Sequence, residues 1–142
     1  MNMSKYIALA FALLLGFLGC PSLSAQQGKP NQAEQEKKMD EFIQKQVSTF
    51  ETTLKLEPWQ TFYVDSILNH DFRAMQDELN ELSSAKVSNT DIYVKAQDKW
   101  NEKIYNSFRK ILNDAQWTKY LKMGAAKDKK SRDKRKAKSE GK

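Results

Sequence analysis

The sequence predicts an all-α fold: an antiparallel long-helix hairpin or bundle of about four helices, followed by a disordered basic C-terminal tail. Along four consecutive stretches apolar residues recur every three or four positions, the spacing that lines side chains up on one face of a helix. No stretch alternates apolar and polar residues as a half-buried strand would. Charge is segregated along the chain: from Lys122 onward there are ten Lys/Arg against three Asp/Glu, whereas residues 26–121 carry thirteen basic and fifteen acidic side chains. The high pI therefore belongs to the tail, residues 124–142, and the helical domain, residues 35–123, is close to neutral.

The chain opens as a secretory signal, residues 1–25. Lys5 supplies the positive start, residues 7–19 are almost wholly apolar, and residues 20–25 form a short exit. That apolar run is shorter than the roughly 20 residues a spanning helix requires, and no second one exists. The mature protein is expected to be soluble. Cleavage after Ala25 is the favoured exit and discards Cys20, the only cysteine; cleavage before Cys20 would instead leave a lipid-anchored lipoprotein. With Cys20 gone, no disulfide can hold the fold, although a secreted protein could form one. Residues 26–34 read as a flexible lead-in.

The first helix is expected from Asn31 to about Leu54, on Met39, Phe42, Ile43, Val47, Phe50 and Leu54. The second begins at LEPWQ, residues 56–60. Pro58 fits the first helical position, where its missing N–H is no loss. Glu57 is then the N-cap, its charge suiting the positive end of the helix, and Gln60 stands where a capping-box side chain reaches back to the cap N–H. Leu56 lies just outside. This helix should end near Leu82, before a Ser/Asn-rich linker. The third runs from about Thr90 to Leu112 on Tyr93, Ala96, Trp100, Ile104, Phe108 and Ile111. The fourth repeats the earlier start in LNDAQ, residues 112–116: Asn113 caps, Gln116 closes the box, and Leu112 is placed to pack on Trp117 as a hydrophobic staple. Gly124 should end it.

The second helix carries more apolar surface than one core needs. At 100° per residue, Val64, Leu68, Phe72, Met75, Leu79 and Leu82 form a stripe between about 140° and 220°, while Trp59, Phe62, Tyr63 and Ile67 fall on the other side. Such a helix requires two partners. The second could be the fourth helix through Trp117, Tyr120 and Leu121, another copy of the chain, or an outside client.

Sites for chemistry are absent from the pattern. His70 is the single histidine, and its neighbour Asp71 is not expected to face it, since adjacent residues on a helix diverge. A metal centre needs several converging ligands, so no metal or other cofactor is expected. Met39, Met75 and Met123 fit as core filler. Serines without an evident base, carboxylates on polar faces and too few glycines for a phosphate loop argue against an enzyme. The basic tail lacks the interleaved aromatics that stack on bases, so nucleic acid is not expected. Weak attraction to an anionic membrane, or to acidic clients, is the alternative to plain solvation.

Two L-x-x-x-Q helix starts in a secreted, cysteine-poor helical chain resemble the Spy/CpxP-like family of periplasmic proteins, whose signature is a twice-occurring LTxxQ. Leu56 and Gln60 match the outer positions of one copy, Leu112 and Gln116 those of the other; the threonine is replaced by Glu57 and Asn113. The resemblance covers about residues 35–123. It implies a periplasmic helical hairpin that forms a homodimer and binds unfolded or aggregation-prone clients without ATP, with envelope-stress and metal-responsive proteins among its relatives. On that expectation Trp59, Phe62, Tyr63 and Ile67 are the client-binding or dimer surface.

Overall fold

The computed structural model describes residues 31–141; the expected signal segment, Cys20 and most of the lead-in lie outside them. Among the described residues every element is helical: α1 (Gln32–Leu54), α2 (Pro58–Ser84), α3 (Thr90–Ile111), the short α4 (Asp114–Tyr120) and α5 (Ala126–Glu140). The helices expected from the apolar spacing are present with nearly the expected bounds. Short connections force neighbours to run antiparallel. Gln44 reaches Asp65 and Phe42 packs on Phe72 across α1 and α2, while Lys103 reaches Asp71 and Trp100 reaches Glu78 across α2 and α3.

The core is the sum of the periodic stripes. Ile43, Val47, Phe50 and Leu54 of α1 meet Val64, Leu68, Phe72, Met75 and Leu79 of α2, with Ala96, Ile104 and Phe108 of α3 closing the third side. Phe50 and Phe108 meet edge to face at 5.4 Å, the arrangement that ring quadrupoles favour. α4 closes the bundle by inserting Tyr120 beside them, at 5.9 and 5.3 Å. Burial pushes the Tyr120 phenol well above its ordinary pKa.

Two expectations fail beyond this point. Gly124 does not end the last helix; it interrupts it. Residues Leu121–Ala125 form a break in which Gly124 takes φ +122°, and the helix then resumes. A side chain there would meet no neighbour, so the requirement for glycine comes from the backbone angle alone. The basic tail is not disordered either, because α5 folds back along α3 and pairs with its carboxylates. Arg135 grips Asp98 with two bonds, at 2.7 and 2.6 Å, which raises the guanidinium's pKa further. Arg132 and Lys129 share Glu102 at 3.2 and 3.4 Å. Arg132 is itself buried, over the ring of Tyr105.

This seam is mainly electrostatic, and it has costs. The Nη2 of Arg132 is enclosed without a hydrogen-bond partner, and burial holds the Asp128 carboxyl above its ordinary range. A cavity of ≈ 190 Å³ remains under the seam, walled by Phe50, Tyr105, Tyr120 and Met123. Solvent-exposed ion pairs contribute only about 0–1 kcal/mol each and weaken as salt shortens the Debye length to about 3 Å at 1 M. Raising salt to about 1 M should therefore speed amide hydrogen exchange across α5 by about tenfold, while α1–α3 keep their protection; exchange mass spectrometry at low and high salt checks this.

Candidate functional site

The two L-x-x-x-Q starts meet in space. Gln60 and Gln116, both buried, pair amide to amide: Gln60 Nε2 donates to Gln116 Oε1 at 2.7 Å, and Gln116 Nε2 donates back to Gln60 Oε1 at 2.8 Å. Each Oε1 also accepts the N–H of its own helix start, Glu57 and Asn113, both at 3.0 Å. The remaining N–H of each amide crosses to the backbone preceding the other motif, Gln60 to the Ile111 carbonyl at 2.8 Å and Gln116 to that of Lys55 at 3.4 Å. Every donor and acceptor of the two amides is thus used, in a pattern with approximate two-fold symmetry. Spacing foretold the local capping role of each glutamine. The bond between them was not foreseen, and the signal that carries it is the equal placement of a buried amide four residues after each leucine. Asn113 completes its own cap by accepting from Gln116 N at 2.9 Å, and Leu112 is buried in the core.

Fixed by this clasp, the first turns of α2 present an aromatic cluster to solvent. Trp59 and Tyr63 are each 50% exposed and Phe62 is 69% exposed. Their rings contact one another edge to face, Trp59 to Tyr63 at 6.2 Å and Phe62 to Tyr63 at 5.7 Å. The indole N–H of Trp59 donates to Glu57 Oε2 at 2.7 Å, which holds the ring across the helix start. Pro58 at the first helical position sets the direction of this turn.

Ile67 does not belong to the exposed set. It is partly buried, packed against the core. Nor does Trp117 cover the α2 aromatics: its ring packs on Tyr105 and Tyr120 at 4.9 and 5.4 Å, with the Arg109 guanidinium over it. The fourth helix therefore seals the core between α1 and α3 and leaves Trp59, Phe62 and Tyr63 open.

A second polar cluster sits between α2 and α3. Asp71 is buried, and its Oδ1 receives both Lys103 Nζ at 2.9 Å and His70 Nδ1 at 2.7 Å. Contrary to expectation, the adjacent histidine does turn to this carboxylate, because Asp71 points into the seam and the exposed imidazole can fold over it. Asp71 also departs from the expectation that carboxylates lie on polar faces. Its wheel position, about 120°, borders the core stripe and was the available signal. About two turns further along α2, Trp100 Nε1 donates to Glu78 Oε2 at 2.6 Å and Lys99 joins the same oxygen; the Lys99 bond, then the Trp100 bond, lower the pKa of Glu78. These groups neutralise one another. A cleft of ≈ 550 Å³ between the start of α1 and the second half of α2 is lined by Met39, Phe42, Arg73 and Asp77.

Among the described residues no three His, Cys, Asp or Glu side chains gather as metal ligands, and no helix is long and apolar enough to cross a membrane. Comparisons of the chain with protein families, with curated proteins and with solved structures give no match.

Proposed function

We propose that this is a non-catalytic, ATP-independent chaperone-like or envelope-stress-response protein of the periplasm, which holds unfolded or aggregation-prone clients on the aromatic start of α2. The observation that carries this reading is the exposure of Trp59, Phe62 and Tyr63 in a bundle whose core closes without them. Fully burying one large apolar side chain is worth roughly 1.5–3 kcal/mol, so three half-open rings on one rigid helix constitute a real binding incentive. The cluster is small and rimmed by polar residues, which suits brief, low-specificity contact over tight recognition. The two L-x-x-x-Q starts support the same reading through the resemblance that they carry.

Changing Trp59 and Phe62 together to serine should abolish most suppression of aggregation of an unrelated unfolding protein while helical content stays within a few per cent of the parent. Ile67 is left alone because it also supports the core. If the double variant protects as well as the parent, the client surface is elsewhere. The same rings could be covered by a second copy of the chain. Sedimentation over a range of concentrations separates the two occupancies, since a tight dimer without protective activity assigns the cluster to self-association.

A further inference from the structure

We infer that the outer face of α5 is a docking surface for an anionic lipid bilayer, carried by Lys127, Lys130, Lys134 and Lys138. α5 divides its cations between two faces, with Lys129 joining the arginines on the inner one. Its two arginines, Arg132 and Arg135, turn inward to Glu102 and Asp98. The four lysines recur at steps of three and four, so they fall within about 80° of one another on the opposite side. All four are exposed, Lys127 also bordering the cavity under the seam, and none takes part in an ion pair among the described residues. The acidic residues of the helix lie off this stripe: Asp133 is bound to Lys129 and Glu140 pairs with Lys136, while Asp128 is half-buried beside the cavity.

The chemistry of the stripe selects its partner. An arginine fork matches an individual carboxylate or phosphate in fixed geometry, and the arginines of α5 are spent inside the molecule; an ammonium on a flexible stem is a point charge with no such demand. A row of four ammonium groups, spanning about 16 Å at 1.5 Å per residue, fits a surface whose negative charge is laterally mobile and uniform. An anionic leaflet is such a surface. Nucleic acid fits less well, as no aromatic ring lies in the stripe to stack on a base. An acidic protein would need carboxylates in register with the row. Folding matters too: docking against α3 fixes which cations face outward, which a disordered tail would not do.

Each lysine near an anionic leaflet multiplies binding by about fivefold, so the four together supply several hundredfold, reversible and salt-sensitive. The test is co-flotation of the full mature chain with vesicles of phosphatidylethanolamine and phosphatidylglycerol, with pure phosphatidylcholine vesicles as the neutral control. Binding is expected to the anionic vesicles alone and to be lost as salt rises from about 0.01 M to about 1 M. The quadruple change Lys127→Gln, Lys130→Gln, Lys134→Gln and Lys138→Gln should weaken it by more than about 100-fold. Four exposed lysines elsewhere, Lys45, Lys86, Lys95 and Lys110, changed to glutamine should have less than about one tenth of that effect, because screening confines the attraction to the docked face. The matching quadruple arginine variant keeps the charge and should bind like the parent, which removes loss of helix as an explanation. Equal binding to neutral vesicles overturns the inference, as does an equal loss from the distal set. Failure to bind anionic vesicles while soluble poly-glutamate is bound also overturns it and gives the stripe to acidic proteins.

Discussion

Replacing Gln60 by leucine is expected to lower the free energy of unfolding by about 3–5 kcal/mol, a large effect for one side chain. The substitution removes little apolar contact. It deprives the Glu57 N–H, the Ile111 carbonyl and one N–H of Gln116 of their partners at once. A buried polar group left without a partner costs about 1–3 kcal/mol, more than the bond contributed when made. Gln116→Leu should cost a similar amount, because it leaves the mirror-related groups of Asn113, Lys55 and Gln60 open. The two amide-to-amide bonds are lost in either single variant, so the double variant should cost about 1–3 kcal/mol less than the sum. Urea unfolding of the four proteins at constant slope gives this coupling directly. Additive costs would mean that each glutamine serves its own helix start alone.

The second large effect belongs to the seam between α2 and α3. Changing Lys103 to methionine keeps the aliphatic stem and removes the ammonium from Asp71, whose buried carboxylate then retains only His70. Breaking a fully buried ion pair from one side costs about 3–5 kcal/mol. Here Lys103 and His70 are themselves largely exposed and water can approach, which brings the expected loss to about 2–4 kcal/mol. Adding Asp71→Leu to that variant should restore most of the stability, since the stranded charge disappears and an apolar side chain enters a site beside the core stripe. A double variant no more stable than Lys103→Met would show that the carboxylate has a role beyond the pair.

Periodic apolar residues made the bundle legible in the sequence. Met39 to Leu54, Val64 to Leu82 and Ala96 to Ile111 announced their helices because burial of one face requires that spacing, and Pro58 and Asn113 marked two starts for steric and hydrogen-bonding reasons. The exposed aromatics were legible for a related reason: Trp59, Phe62 and Tyr63 fall outside the stripe that the core uses. A helical wheel groups Ile67 with them because a wheel has no neighbours, whereas in the folded chain Ile67 packs against the core. The packing of α5 is not legible in this way because its partners are charges. Arg132 and Arg135 on one helix and Glu102 and Asp98 on the other repeat with the same helical period, a match between two segments that no apolar pattern within one segment reveals. The burial of Asp71 is hidden from the sequence in the same way, since its charge is met by a lysine thirty-two residues away.

The paired amides have a consequence for how such a chain can change over generations. Each is donor and acceptor to the other and both are buried, so a replacement at one position creates a defect that a matching replacement at the other relieves. Among descendants of this sequence, positions 60 and 116 should therefore covary, departing from glutamine together or not at all.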